Sequence, residues 1–199
     1  MIIYGKKEID YISKKNVVMA NLVFKYGYIE KGLTTDIFTS LVFHIIGQMF
    51  SNSAAETITA RLVAKVGKIT PENISLLSFE EIRECGISSR KTQYIKGLAD
   101  DVLANRISLT DLTELSDEEI IDRLIKIKGV GRWTAEMICE FTLGRLNVFS
   151  FDDVALKNGI QKAHGYKTLS KKRFESLRKI YSPYCSVASL YYYAVNDEK

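Results

Sequence analysis

The 199-residue chain has few of the residues that break helices or build metal and disulfide frameworks, with 2 prolines, 3 cysteines and 2 histidines. Both prolines follow a hydroxyl residue, in Thr70-Pro71 and Ser182-Pro183, which is the arrangement of a helix N-cap and a first-turn proline. The cysteines are odd in number and far apart, which excludes a disulfide scaffold and a four-cysteine cluster, and no metal site is expected. No apolar stretch reaches membrane-spanning length and no signal-peptide pattern opens the chain. We therefore expect a mainly helical intracellular protein without membrane contact, in the cytoplasm or nucleoid of a prokaryote or the nucleus of a eukaryote.

The charge is modest in sum but uneven along the chain. The formal net charge is +4, and the segment 155–181 holds eight basic residues against Glu175 alone. Such a distribution favours a face that meets a polyanion, with nucleic acid as the first candidate. A solvated lysine-rich surface explains the charge equally well, and for Lys167 to Lys179 it is the preferred interpretation.

Helix start signals are frequent. Ser78-Phe-Glu-Glu81 and Ser116-Asp-Glu-Glu119 are capping boxes. The apolar stripe expected after the second box consists of Ile120, Ile121, Leu124, Ile125 and Ile127. Further helices are predicted over 36–49, 53–66, 89–104, 133–143, 153–163, 170–180 and 183–195. Since no alternating strand pattern appears, the predicted fold class is all-α.

The most informative stretch surrounds Gly129-Val130-Gly131, which separates two predicted helices. Two glycines around one apolar residue allow a tight reversal that a side chain at either position is expected to obstruct. The main-chain N–H groups at the start of the second helix form an anion site suited to a DNA phosphate, and Lys128 and Arg132 flank it with positive charge. The alternative is an ordinary helix–glycine–helix connection.

The whole pattern, with aliphatic residues before the glycines and Ala135 behind them, resembles the helix–hairpin–helix motif of DNA-binding and repair proteins. The resemblance extends to Asn147-Val-Phe-Ser-Phe-Asp-Asp-Val-Ala-Leu-Lys-Asn158, to Phe43-His-Ile-Ile-Gly-Gln48 and to Ser182-Pro-Tyr-Cys-Ser-Val-Ala. In this order the motifs are similar to the HhH-GPD superfamily of base excision DNA glycosylases, and most similar to its 3-methyladenine DNA glycosylase II branch.

The resemblance implies two helical lobes that flank a cleft. Lobe one is expected over about 34–145 and contains the hairpin 120–143, whereas lobe two combines about 1–33 with 146–199. Gln48 and Met49 match the loop that enters the duplex from the minor groove, where an apolar wedge fills the gap left by a flipped nucleotide; the end of a buried helix is the alternative. The residues expected to bind DNA are Gln48, Met49, Lys128, Gly129, Val130, Gly131, Arg132 and Thr134.

Asp153 matches the family's catalytic aspartate. Cleavage of an N-glycosidic bond develops positive charge on the sugar, so a fixed carboxylate beside it stabilises the transition state or activates water. At a helix N-terminus this carboxylate is expected to stay ionised. A simple N-cap is the alternative for Asp152 or Asp153, and Asp152 is taken as structural or as a minor electrostatic contributor.

The position two after Gly131 decides the reaction class that the resemblance implies. Bifunctional members carry a lysine there, whose amine forms a Schiff base, whereas this chain has Trp133. The expected base pocket consists of Trp133, Tyr193 and Met137, although family members often have an aromatic residue in place of Met137. At least one of Tyr191, Tyr192 and Tyr193 must belong to the core. A hydrophobic plug is the alternative role for Trp133.

These observations predict a monomeric, monofunctional glycosylase that flips alkylated purines out of damaged duplex DNA and leaves an abasic site. The resemblance implies no required cofactor and allows a monovalent cation, Na⁺ or K⁺, at the hairpin main chain. The alternatives are a glycosylase of the same fold for oxidised or deaminated bases, and a non-catalytic helix–hairpin–helix DNA-binding module.

Overall fold

The computed structural model describes residues 2–33 and 36–198. In the described residues every regular element is a helix, which confirms the all-α fold class. A single turn of 3-10 helix spans Leu112–Glu114, and none of the described helices is long and apolar enough to cross a membrane. The helices are α1 (Lys6–Ser13), α2 (Val17–Tyr26), α3 (Ile37–Gly47), α4 (Asn52–Val66), α5 (Pro71–Leu76), α6 (Phe79–Glu84), α7 (Ser89–Leu103), α8 (Asp117–Leu124), α9 (Arg132–Phe141), α10 (Val154–His164), α11 (Lys171–Tyr181) and α12 (Cys185–Asp197).

Contacts divide the chain into two compact units. Unit 1 comprises Met1–Leu33 and Cys139–Lys199, and unit 2 comprises Thr34–Ile138. The border between them falls inside α9, after Ile138. Thr34, where the predicted lobe one begins, lies outside the described residues.

Local capping explains most helix starts. The side chains of Ser78 and Ser116 each accept a hydrogen bond from the main-chain N–H of the residue three positions later, Glu81 or Glu119. The side chain of that glutamate in turn accepts the main-chain N–H of the serine, so both predicted capping boxes are confirmed. Thr70 caps α5, and Pro71 occupies its first turn as predicted.

The second proline departs from the prediction. Ser182 does not begin a helix; its N–H donates to the Arg178 carbonyl at 3.0 Å, so it closes the C-terminus of α11. The Ser182-Pro183 bond is cis, and α12 begins only at Cys185. The predicted N-cap at Ser182 is therefore wrong.

Two further differences concern helix ends and beginnings. α8 stops at Leu124, which leaves Ile125 beyond the helix with 43% of its surface exposed, so the prediction that Ile125 joins the apolar stripe is wrong.

The sequence patterns also do not predict the first two helices, α1 and α2. α1 begins at Lys6 after the N-cap residue Gly5, which has no side chain to cap it, and α2 depends on Asn16, whose side chain accepts the Met19 N–H.

The core of unit 2 lies between α3, α4, α5 and α7, whose apolar faces are buried. α3 is buried along most of its length because it is apolar nearly all round, and Leu41, Val42, Ile45 and Ile46 have no exposed surface. This burial fixes the end of α3, from which the predicted wedge loop leaves.

The core of unit 1 is built on the pair α10 and α12. Gly159 in α10 faces the main chain of α12 so closely that a Cβ atom would lie 1.9 Å from the Tyr192 carbonyl oxygen. Around this contact Leu156, Ile160, Phe174 and Tyr181 are fully buried. The N-terminus of α10, which carries Asp153, is therefore held by tight helix packing.

We expect Gly159→Ala to lower the free energy of unfolding by about 3 kcal/mol, because its methyl group meets backbone that cannot yield without moving α12. Gly97→Ala, in the middle of α7, is the matched control: apart from its chain neighbours and the backbone of its own helix, no atom of the described residues lies within 4 Å of its Cβ position. There alanine should stabilise by about 0.5–1 kcal/mol, since it restricts the unfolded chain. Urea denaturation of the two variants measures both effects, and equal stabilities would contradict the packing.

Candidate functional site

The hairpin between α8 and α9 depends on one glycine. Gly129 has φ +89°, a left-handed conformation that favours glycine. A Cβ atom there would lie 2.3 Å from Cδ2 of the Tyr94 ring. Val130, next in the turn, is buried and donates its N–H to the Ile127 carbonyl at 3.0 Å. A side chain at position 129 would therefore obstruct the turn, as predicted.

Gly131 behaves differently. Apart from its own atoms and its two chain neighbours, no atom of the described residues lies within 4 Å of its Cβ position, and its φ is not positive. The expectation that a side chain there obstructs the reversal is wrong, because the turn is already closed by Gly129 and Val130. Glycine at 131 leaves the surface open at the beginning of α9, where main-chain N–H groups lack helical partners.

Charges around the start of α9 are partly compensated within the protein. Arg132 pairs with Glu118 at 2.9 Å and with Glu136 at 3.0 Å. Lys128 is exposed. Thr134 is buried, so this residue offers the surface no hydroxyl. The main chain and Lys128 therefore remain the principal features that attract an anion here.

The predicted wedge loop follows α3. The Gln48 side chain donates from Nε2 to the Gly129 carbonyl at 2.8 Å, which ties the loop to the hairpin. Met49 has φ +63° and is fully exposed. The loop and hairpin share a depression of about 460 Å³ lined by Gln48, Met49, Ser88, Arg90, Lys91, Tyr94, Gly129, Val130 and Gly131.

Trp133 lies in the first turn of α9 and is half-buried. His44 of α3 meets it edge-to-face, with ring centroids 5.9 Å apart. Burial lowers the pKa of His44 below its ordinary value of 6.5, so the imidazole is neutral at neutral pH. Met137, one helical turn after Trp133, is buried, with only 3% of its surface exposed.

Asp153 is the N-cap of α10 in unit 1. Its Oδ1 accepts the Leu156 N–H at 2.7 Å, and the residue is only 6% exposed. The neighbouring Asp152 is exposed. Capping fixes the orientation of the Asp153 carboxylate, so the N-cap role and the predicted catalytic role are compatible in one side chain.

The three consecutive tyrosines at 191–193 differ in how far they are buried. Tyr191 and Tyr192 have no exposed surface and belong to the core of unit 1. The Tyr191 hydroxyl donates to the Gly27 carbonyl at 2.9 Å, and the Tyr192 hydroxyl is 2.8 Å from that of Tyr181. Tyr193 is half-buried beside Phe141, with ring centroids 5.8 Å apart. Tyr193 thus stays the candidate for the base pocket.

Three residues of unit 2 that sequence reasoning did not assign contact the predicted site. His44 touches Trp133, Tyr94 packs on Gly129, and Lys91 donates to main-chain carbonyls of the wedge loop. The only local signal is that Lys91 and Tyr94 are three apart on the helix predicted over 89–104, which places them on one face.

The family model and the curated relatives that match the chain agree with each other. The family model described as "HhH-GPD superfamily base excision DNA repair protein" matches residues 42–183. "DNA-3-methyladenine glycosylase 1" of Schizosaccharomyces pombe is 33% identical over 159 residues, which are 77% of this chain and 70% of that protein.

Solved structures agree with the sequence matches. DNA-3-methyladenine glycosidase from Bacillus halodurans superposes with a TM-score of 0.85 at 33% identity, covering 96% of this chain and 89% of that one. The Schizosaccharomyces pombe 3-methyladenine DNA glycosylase Mag1, in complex with abasic DNA, gives a TM-score of 0.85 at 30% identity, with 94% and 95% of the two chains covered.

The lowered pKa of His44 predicts a loss of stability in mild acid. Below its ordinary value of 6.5 the unfolded chain takes up a proton that the folded chain does not, so the free energy of unfolding falls as the pH drops. Burial also lowers the pKa of His164, which adds to the same pH dependence of the free energy of unfolding. Urea denaturation at about pH 7.5 and about pH 5.5 should show the loss. His44→Gln should reduce the loss, and an unchanged pH dependence in that variant would contradict a neutral, half-buried His44.

Proposed function

Because the chain belongs to the HhH-GPD superfamily of base excision DNA repair proteins, we propose that it is a monofunctional DNA glycosylase of the 3-methyladenine DNA glycosylase II type. It acts as a monomer on damaged duplex DNA and removes alkylated purines such as 3-methyladenine and 7-methylguanine. The observation that carries the proposal is the carboxylate of Asp153, buried and fixed at the start of α10, in a chain similar to 3-methyladenine glycosylases.

The chemistry needs little more than such a carboxylate. N3- or N7-methylation leaves the purine positively charged, so the base departs as a neutral molecule with the electron pair of the C1′–N9 bond. Positive charge then develops on the sugar, where the Asp153 carboxylate stabilises it. Water adds to C1′ and loses a proton, and an abasic site remains.

Trp133 supports both the substrate class and the absence of strand cleavage. An indole has no amine that could form a Schiff base with the sugar, so no covalent intermediate is expected. Its electron-rich face attracts a cationic purine. The neutral His44 beside it adds no competing positive charge at neutral pH.

DNA is held at the hairpin in the proposal. Gly131, Arg132 and Trp133 offer main-chain N–H groups at the start of α9, and the open surface at Gly131 lets a phosphate approach. Main-chain carbonyl oxygens in the turn 125–130 are ligands that suit a hard monovalent cation. Such a cation would add positive charge beside the phosphate.

We expect Asp153→Asn to lower the single-turnover rate of 3-methyladenine release from methylated duplex DNA about 100-fold or more. Asparagine caps a helix as well as aspartate does, so the fold should persist. Asp152→Asn, which removes the same charge from the exposed neighbour, is the matched control and should keep the rate within about threefold.

Other outcomes separate the alternatives. Salt-dependent DNA binding without release of any base by the wild-type protein would favour a non-catalytic binding module. Release of oxidised or deaminated bases only, from a panel of damaged duplexes, would change the substrate class. A product trapped by borohydride would contradict monofunctional chemistry.

The two hairpin glycines should respond differently to alanine. Gly131→Ala is expected to weaken binding to abasic DNA about tenfold, because its methyl group occupies the phosphate approach, while stability stays within about 0.5 kcal/mol. Gly129→Ala should lower the free energy of unfolding by about 2 kcal/mol or more, from its left-handed φ and the Tyr94 ring. Fluorescence anisotropy and urea denaturation measure these effects. Unchanged DNA affinity in Gly131→Ala would contradict the proposed phosphate site.

A further inference from the structure

The wedge loop adopts a conformation that needs support. Gln48 leaves α3 with an extended ψ of 129°, and Met49 follows with φ +63°. A left-handed φ is uncommon for a residue other than glycine and persists only where the surroundings hold it. The Met49 side chain supplies no such support, because it is fully exposed. Other residues must therefore fix the loop.

Lys91 of α7 provides the main support. Its ammonium donates to the Ile46 carbonyl at 2.7 Å and to the Gln48 carbonyl at 2.5 Å. It also lies 4.0 Å from the centre of the Phe50 ring, on the other side of Met49. One cation thus contacts the chain immediately before and immediately after the exposed methionine.

Desolvation by burial lowers the pKa of Lys91, so its ammonium depends on acceptors in the protein. The last carbonyls of a helix carry the negative end of its dipole and lack N–H partners within the helix. The half-buried Lys91 ammonium satisfies one of them, the Ile46 carbonyl, together with the carbonyl of Gln48 just beyond the helix. The Gln48 side chain adds the second tie, from the loop to the Gly129 carbonyl of the hairpin.

We propose that Lys91 is a positioning residue for base flipping, which holds the residues on either side of Met49 so that the wedge is ordered before DNA arrives. This inference rests on the proposed function and deepens it. A wedge on a disordered loop would lose conformational entropy at every insertion, whereas a preformed loop avoids that cost. Loss of Lys91 should therefore impair insertion and flipping more than the initial contact with DNA phosphates.

The chain offers a matched control on the same helix. Lys96 donates to the Leu77 carbonyl at 2.5 Å and to the Ser75 carbonyl at 3.4 Å. Ser75 lies in the last turn of α5, and Leu77 follows the end of that helix. Lys96→Met and Lys91→Met thus delete the same kind of contact between a lysine and the end of a helix. Only Lys91→Met releases the wedge loop.

Three measurements are made on each full-length variant: affinity for undamaged duplex, the fluorescence rise of 2-aminopurine placed beside a lesion, and the single-turnover rate of 3-methyladenine release. In Lys91→Met we expect the fluorescence rise and the rate to fall about tenfold or more, with affinity for undamaged DNA within about threefold of wild type. Lys96→Met should match wild type in all three. Lys91→Arg should recover most of the signal, because its guanidinium keeps donors for both carbonyls.

A double-mutant cycle sharpens the assignment. If Lys91 acts through the wedge, Lys91→Met should add little to the defect of Met49→Ala. Full additivity of the two variants would overturn the proposal, and so would equal flipping by Lys91→Met and wild type. Should Lys91→Met fail to fold, wild-type flipping by Lys91→Arg with loss in Lys91→Gln supports the proposal, and equal flipping by these two overturns it. Absence of base release by the wild type contradicts the proposed function alone, because 2-aminopurine fluorescence still measures insertion.

Discussion

The close approach of the Tyr94 ring to the main chain of Gly129 is the constraint on which the predicted DNA-binding surface of unit 2 depends. With a Cβ position only 2.3 Å from the ring, α7 and the hairpin pack without room for a side chain. One helical turn earlier on α7, Lys91 holds the carbonyls of Ile46 and Gln48. A single face of α7 therefore positions both the hairpin and the wedge loop, and the hydrogen bond from Gln48 to the Gly129 carbonyl joins these two elements directly.

Unit 1 fixes its carboxylate by a comparable device. The packing of Gly159 on the main chain of Tyr192 sets the position of α10, and the N-cap bond to the Leu156 N–H sets the orientation of Asp153. Both contacts hold the side chain through main-chain atoms, which move little once the helices are packed. A fixed anion suits a reaction whose transition state gains positive charge, because no reorganisation is needed when the charge appears.

Features encoded within a few residues of one another could be predicted from the sequence. The capping boxes at Ser78 and Ser116 and the proline after Thr70 determine helix starts through contacts three residues apart, and the structure contains all of them. Gly129 and Gly131 look alike in the sequence. The left-handed φ of Gly129 and the ring of Tyr94, 35 positions before it, make the first glycine necessary for the turn. Lys91 escaped prediction for the same reason, since its partners at 46 and 48 are brought to it by tertiary packing.

Local signals also failed where two elements compete for one residue. Ser182 has the sequence signature of an N-cap, yet its N–H closes the preceding helix instead.

The proposed release of alkylated purines without strand cleavage is tested most directly by analysis of the products that the wild-type protein forms on methylated duplex DNA. Free 3-methyladenine and 7-methylguanine should appear with intact strands that break only on later alkali treatment. Intact methylated DNA with no free base, after binding has been verified, would contradict it.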